Sequence, residues 1–374
     1  MKIGLLTFHT SANYGAVLQA FALQHFIERQ GYNTEYLDYQ NHCRRMFYDI
    51  PYHVKTLLHE GKLAEALFYF IGMPFLNWRK KKFESFRKQY LRISSNTWRT
   101  PEELVVTNDL YDKFVIGSDQ VWNPKHNGSD TSFMLSFVKD SAKTIAYASS
   151  FGMSDVPDQL KAAYAASLNR ICHLSTREQN GVDIIKSLTG RDALLALDPV
   201  FLLERETWLQ LIGTQPSGGN YLFSYTNEKG QMRNFLQTTG YDMKGIKHHK
   251  LSRFTTISDF LSPHIKVKYV MSPIEFLTNI NGARLVVSAS FHCISFAIIL
   301  NTPFICILSD NEGRNERLYT LLSHFGLTDR IFSKKMTLND VQKPINWNKV
   351  NCLIEEKRKE SVNFLMDALN SPRK

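Results

Sequence analysis

The residue in this chain best suited to moving a proton is a histidine that follows a short apolar strand and opens an apolar helix. In Arg284-Leu285-Val286-Val287-Ser288-Ala289-Ser290-Phe291-His292-Cys293-Ile294, the pattern predicts strand, tight turn and helix, with His292 at or near the helix start. The positive end of a helix favours the neutral imidazole. Substrates of parallel α/β sheets also bind beyond the carboxyl ends of the strands, so His292 is placed to act as acid or base near neutral pH. A satisfied structural histidine is the competing reading, and the local sequence leaves both open.

Three more segments put polar groups after apolar strands. Phe8-His9-Thr10-Ser11-Ala12-Asn13-Tyr14-Gly15-Ala16 turns a strand into a helix, where backbone N–H groups could receive an anion or a sugar; equally, Asn13 could simply cap the helix beside an easy glycine turn. In Val115-Ile116-Gly117-Ser118-Asp119-Gln120-Val121-Trp122-Asn123-Pro124 the side chains of Ser118, Asp119, Gln120 and Asn123 match sugar hydroxyls, and Trp122 could cover an apolar sugar face. The alternative is an Asx turn with Trp122 in the core. Arg177, in Leu174-Ser175-Thr176-Arg177-Glu178, could grip a carboxylate or phosphate bidentately, or could pair with its neighbour Glu178.

The elements that must hold these residues read as two α/β segments. In the first, strands are expected at Lys2 to Thr7, Thr34 to Asp38, Lys113 to Ile116, Thr144 to Ala148 and Ile171 to Leu174. A helix is expected from Ala16 to Gln30, closed by Gly31. In the second, strands are expected at Tyr221 to Tyr225, Lys244 to Lys247, Leu285 to Val287 and Phe304 to Leu308. The fold class is therefore α/β, with two doubly wound Rossmann-like domains facing across a cleft: residues 1–198 with an irregular insertion at about 41–100, residues 199–350, and a closing helix in 351–374. No glycine-rich dinucleotide fingerprint is present.

Five scattered cysteines without a C-x-x-C pair argue against a disulfide framework or a zinc site, and no export leader or membrane span is read, so a cytoplasmic location is expected. The net charge of +10 is spread along the chain without a nucleic-acid module, so no nucleic-acid partner is expected. One local exception is the apolar run Ala66 to Leu76, followed at once by Trp78-Arg79-Lys80-Lys81-Lys82. That pairing suits a peripheral visit to the inner membrane face, or else a core helix followed by a solvated one. The sequon at Asn127 is expected to stay unmodified.

Read in order, Asn13-Tyr14-Gly15-Ala16-Val17-Leu18-Gln19-Ala20, Ile116-Gly117-Ser118-Asp119-Gln120-Val121-Trp122-Asn123-Pro124, Tyr147-Ala148-Ser149-Ser150-Phe151-Gly152, Leu197-Asp198-Pro199 and Ser290-Phe291-His292 closely resemble the polysaccharide pyruvyl transferase family. The resemblance covers roughly residues 1 to 330. It implies a fold like that of the two-domain GT-B glycosyltransferases and transfer of a pyruvyl group from phosphoenolpyruvate to two hydroxyls of a sugar, forming a ketal. The sugar would belong to a cell-surface polysaccharide, such as a capsule or exopolysaccharide, or to its lipid-linked precursor, and no metal or other cofactor would be required.

The resemblance implies His292 as acid or base and Arg177 as a donor ligand. The chemistry then needs a base for the hydroxyls, for which Asp119 is the expected second catalytic residue; Ser290, Phe291, Arg314 and Arg317 are expected to bind the donor with Arg177, and Asn13, Tyr14, Gly15, Ser118, Gln120, Trp122 and Asn123 to bind the acceptor. Two departures from the family's Ser-Arg-Leu-His-Gly turn matter: Ser290 stands where the arginine would be, and Cys293 replaces the glycine. Arg314 and Arg317, after the next strand, are the expected substitutes for the missing charge. The competing functions are a GT-B-type glycosyltransferase with a nucleotide-sugar donor and a binding protein without catalysis.

Overall fold

A computed structural model describes residues 1–213, 219–226, 230–252, 263–309 and 312–372. The chain divides into two compact units, Met1–Leu202 with Arg358–Lys374, and Leu203–Lys357. The division falls at Leu202 rather than Asp198. The last helix, Trp347–Asn370, starts before the expected segment, and its residues from Arg358 onward belong with unit 1.

Unit 1 is built on a seven-stranded parallel sheet of β1 (Lys2–Leu6), β2 (Asn33–Tyr39), β3 (Ile93–Trp98), β4 (Lys113–Ile116), β5 (Thr144–Ser149), β6 (His173–Thr176) and β7 (Leu194–Leu195), in the order β3-β2-β1-β4-β5-β6-β7. β4 and β5 are buried at every residue, the pattern of strands covered on both faces. Helix α1 (Tyr14–Arg29) buries thirteen of its sixteen residues, including two glutamines. Gln19 Nε2 donates to Thr7 Oγ1 and to Ala16 O, both at 2.9 Å, and Gln24 exchanges hydrogen bonds with the backbone of Arg92.

The segment from 41 to 100, expected to be irregular, is mostly helical. It forms α2 (His42–Tyr48), α3 (Ile50–His59) and α4 (Leu63–Tyr90) before ending in the edge strand β3. Gly72 and Pro74, which suggest a break in the sequence, lie within the 28 residues of α4. The carboxyl-terminal half of α4 is fixed by packing on α1: Phe83 packs on Tyr14, and Phe86 and Tyr90 pack on Phe21.

Unit 2 holds a five-stranded parallel sheet of β8 (Tyr221–Thr226), β9 (Lys247–Ser252), β10 (Ile265–Val267), β11 (Leu285–Ser288) and β12 (Phe304–Cys306), ordered β10-β9-β8-β11-β12. β9 lies three residues beyond its expected start. Lys244 N donates to Asp242 Oδ1 at 2.8 Å and Gly245 adopts φ 73°, so those residues form a turn instead. The strands β3, β7 and β10, unanticipated from the sequence, are all edge strands or short ones.

In both sheets the strand order reverses direction beside the first strand, between β1 and β4 in unit 1 and between β8 and β11 in unit 2. Ligands of open α/β sheets bind outside the carboxyl ends at such switch points. The loops after β1 and β4 therefore matter most in unit 1, and the turn carrying His292 matters most in unit 2.

Candidate functional site

In unit 1 the loops after β4, β5 and β6 are joined by one buried ion-pair network centred on Arg177. Its Nη1 donates to Asp198 Oδ2 at 2.6 Å and to Ser118 Oγ at 3.2 Å, and Ser118 Oγ donates to the same Asp198 oxygen at 2.9 Å. Nη2 lies 3.4 Å from Asp119 Oδ1, and Nε lies 3.9 Å from Glu178. Burial opposes the guanidinium's charge. The Asp198, Asp119 and Glu178 carboxylates outweigh it, so its pKa stands above the ordinary arginine value.

Glu178 in turn accepts hydrogen bonds from Ser150 Oγ and from the backbone N–H groups of Phe151 and Gly152, fixing the loop after β5. Gly152 at φ +59° lets that loop close on Gln120, whose Cδ would lie 2.5 Å from a Cβ there. Asp119 itself adopts φ 76°, a left-handed conformation that aspartate tolerates better than bulkier residues, and bridges to Ser149. Its carboxylate is 16% exposed, while those of Asp198 and Glu178 are closed off, so Asp119 alone of the three opens outward.

The remaining polar residues expected on the acceptor side divide by role. Trp122 is wholly buried, donates Nε1–H to Phe133 O at 2.9 Å and packs on Phe151, so its indole is core and offers no face to a sugar. Tyr14 is buried against Phe83, and Gly15 is buried in the first turn of α1. Asn13 caps α1 by accepting from Gly15 N and Ala16 N, and Asn123 caps Pro124–Asn127 by accepting from Lys125 N. Ser118 is taken into the network. Gln120, half-buried beside Asp119, remains at the carboxyl edge.

The loop after β1 is held by residues that the sequence did not single out. His9 is fully buried, stacks on Tyr36 and places Nε2 3.7 Å from Asp38 Oδ1. Asp38 also accepts from Gln40 Nε2 at 2.7 Å and Thr97 Oγ1 at 2.6 Å. Burial alone would raise its pKa; the hydrogen bonds and the nearby imidazole hold it down to about 2. The inserted helices reach the same loop: Arg44 Nη2 donates to Ser11 Oγ, Arg79 Nη2 to Ala12 O at 3.0 Å, and Arg87 Nη1 to Thr10 O at 3.0 Å. Only long-range folding brings these arginines to β1, which is why local spacing gave no sign of them.

In unit 2, helix Phe291–Ile299 begins directly after β11, with Ser290 as N-cap and His292 in the first turn. Ser290 makes no side-chain cap bond. Its N–H is held by Ser288 Oγ at 3.1 Å, which donates to Tyr225 O across the switch point. His292 is buried and meets Phe291 edge to face at 5.1 Å. The guanidinium of Arg317, from helix Glu312–His324, lies 5.7 Å over the same Phe291 ring, so the structure gathers His292, Phe291 and Arg317 at one carboxyl edge. The side chain of Arg314 lies outside the described residues. Cys293 is wholly buried, and burial pushes its thiol up to about 12, so it serves as an apolar helix residue and no nucleophile.

Two cavities of about 410 and 530 Å³ in unit 2 both adjoin Arg284 and Pro303, at the opposite, amino-terminal ends of β11 and β12. Among the described residues no three His, Cys, Asp or Glu side chains converge as metal ligands, and no helix is long and apolar enough to cross a membrane.

Comparison with known proteins agrees with this architecture. The UDP-GlcNAc 2-epimerase of Neisseria meningitidis, solved with UDP-GlcNAc, aligns over 98% of this chain and 100% of its own at 10% identity and a TM-score of 0.50. S. aureus MnaA, solved with UDP, aligns over 99% and 97% at 9% identity and a TM-score of 0.51. At such identities the likeness speaks for the fold alone, a GT-B-like pair of parallel α/β sheets. No curated protein sequence matches the chain. The family model for polysaccharide pyruvyl transferases matches residues 13–311, and the chain belongs to that family.

Proposed function

We propose that the protein transfers the pyruvyl group of phosphoenolpyruvate to two hydroxyls of a sugar in a cell-surface polysaccharide or its lipid-linked precursor, forming a ketal, on the cytoplasmic side of a membrane. The observation that carries this reading is the family match, which takes in the loops after β4, β5, β6 and β11. The reaction adds a proton to the methylene carbon, making the central carbon electrophilic. One sugar hydroxyl adds, the C–O bond to phosphate breaks with its electron pair going to the phosphate, and the second hydroxyl closes the ring; of the two hydroxyl protons given up, one balances that added to the methylene carbon and the other ends on the phosphate.

His292 suits the proton transfers, since its imidazole stands in the first turn of a helix at the switch point of unit 2. Arg317, beside Phe291, supplies positive charge for the donor's anions where the family turn's arginine is replaced by Ser290, with Arg314 three residues away in sequence. Asp119 is the base for a hydroxyl, and Arg177 positions it: the guanidinium is fully buried and engaged with chain carboxylates, which favours a positioning role over direct donor binding.

The test is a donor comparison on the full chain with a panel of sugar acceptors. Release of inorganic phosphate from phosphoenolpyruvate, together with acceptor mass rising by one pyruvyl group, is the expected result. Transfer from a UDP-sugar with release of UDP, and none from phosphoenolpyruvate, would replace this reading with glycosyl transfer.

A further inference from the structure

Large apolar side chains exposed to water are unevenly distributed in this molecule. Among the described residues six are more than half exposed; five of them, Leu58, Leu63, Leu67, Phe70 and Trp78, belong to α3 and α4 of unit 1, and the sixth is Val106. On α4 the exposed positions Leu63, Leu67, Phe70, Trp78, Lys81, Ser85 and Lys88 follow one another at steps of three, four or eight residues, which places them along one stripe of the helix. The stripe is apolar at its amino-terminal end and basic at its carboxyl end. Of the eleven residues from Trp78 to Lys88, six are Arg or Lys and one is Glu.

The opposite stripe has a different task. Phe83, Phe86 and Tyr90 pack on α1, and Arg79 and Arg87 reach inward to the carbonyls of Ala12 and Thr10. Those residues anchor the helix to the carboxyl edge of β1, while Leu63, Leu67, Phe70 and Trp78 on the other stripe are exposed to water. An apolar stripe bordered by a cationic run matches the two layers of a membrane surface, with acyl chains beneath and anionic headgroups above.

We propose that the outward face of α3 and α4 docks unit 1 on an anionic phospholipid surface, with Leu63, Leu67, Phe70 and Trp78 entering the interface and Lys80 to Lys82 and Lys88 meeting the headgroups. Because the same helix grips the loop after β1, docking sets that carboxyl edge at a fixed height near the bilayer. The docking stands independently of the reaction assigned above, and its readout involves no catalysis.

Flotation of the full-length protein with phosphatidylcholine vesicles, with and without phosphatidylglycerol, tests this. Recovery with the anionic vesicles only is expected, accompanied by a blue shift of Trp78 fluorescence and falling as salt approaches about 1 M, where charges are screened within ~3 Å. Leu67→Ser with Phe70→Ser should lower recovery by about tenfold or more, and Lys80, Lys81 and Lys82→Ser should remove the preference for anionic lipid. Neither set alters residues assigned to the site, so thermal unfolding and turnover on a water-soluble acceptor should match the parent. Equal recovery with both vesicle types, unchanged recovery after the Leu67 and Phe70 substitutions, or dimerisation in solution that these substitutions abolish would overturn the proposal. The last outcome would assign the face to a second copy of the chain.

Discussion

The carboxyl edges of the two sheets carry different sets of polar groups. In unit 1 the carboxyl edge is occupied by Arg177 with Asp198, Asp119 and Glu178, a network whose members bond to one another and to three loops. In unit 2 the corresponding edge carries His292 and Arg317 around Phe291. A buried network of full charges fixes geometry but can accept little else, because breaking it leaves an uncompensated ion. An imidazole at a helix start has a proton that can change hands. On the function proposed here, proton transfer belongs to the edge of unit 2, and the Arg177 network of unit 1 serves to hold its loops in place.

The largest effect expected from this contrast is at His292. Gln keeps a hydrogen-bonding group of similar reach and cannot exchange a proton near neutral pH, so His292→Gln should lower kcat by about 10²- to 10⁴-fold, equivalent to about 3 to 5 kcal/mol of barrier. Phosphoenolpyruvate affinity and melting temperature, measured on the same preparation, should change little. Wild-type turnover combined with a lowered melting temperature would return His292 to a structural role and remove the distinction between the two edges.

Arg177 should behave in the reverse manner. Arg177→Met leaves Asp198 wholly buried without its cation, which costs about 3 to 5 kcal/mol in urea unfolding of the chain. Pairing it with Asp198→Asn should recover part of that loss, since the two residues act as one unit. A variant as stable as the parent that no longer binds phosphoenolpyruvate would instead make Arg177 a donor ligand, as the family resemblance implies. It would also make the two edges more alike than their geometry indicates.

The sequence disclosed the edges better than it disclosed what lies on them. Strands such as Lys113–Ile116 and Leu285–Ser288 are short apolar runs ending in polar turns, a local signal that survives folding intact. Trp122 shows the limit. Its neighbours suggested a sugar-binding aromatic, yet Phe133 and Phe151, brought in from other loops, enclose it. Asp198 was legible only as part of the block Leu197-Asp198-Pro199, with no sign of its partner, because its ion pair with Arg177 spans 21 positions. The inserted helices hid their function for the same reason: whether Arg79 faces solvent or the loop after β1 depends on the packing of α4 on α1, which no window of the sequence encodes.

The smallest effect concerns the loop after β1, where the charged network is only partly shielded and pH can test it. Asp38 has its carboxyl held at about 2, below the ordinary 3.8, by hydrogen bonds and the neighbouring His9. A depressed carboxylate adds stability that is fully present above the unfolded value and is lost as pH falls through the folded one, here between about 4 and about 2. The full shift would correspond to about 2.5 kcal/mol, but the group is partly open to solvent, and screening reduces the expected contribution to about 1 kcal/mol. Asp38→Asn should therefore lower unfolding stability by about 1 kcal/mol at neutral pH, with the gap to the parent narrowing by roughly half near pH 3, where the parent's own carboxylate begins to protonate. Urea titrations of both proteins at the two pH values measure this directly. A gap of the same size at both would mean that Asp38 acts through its shape and its bonds to Gln40 and Thr97 rather than its charge, and that electrostatic fixing of unit 1 is confined to the Arg177 network.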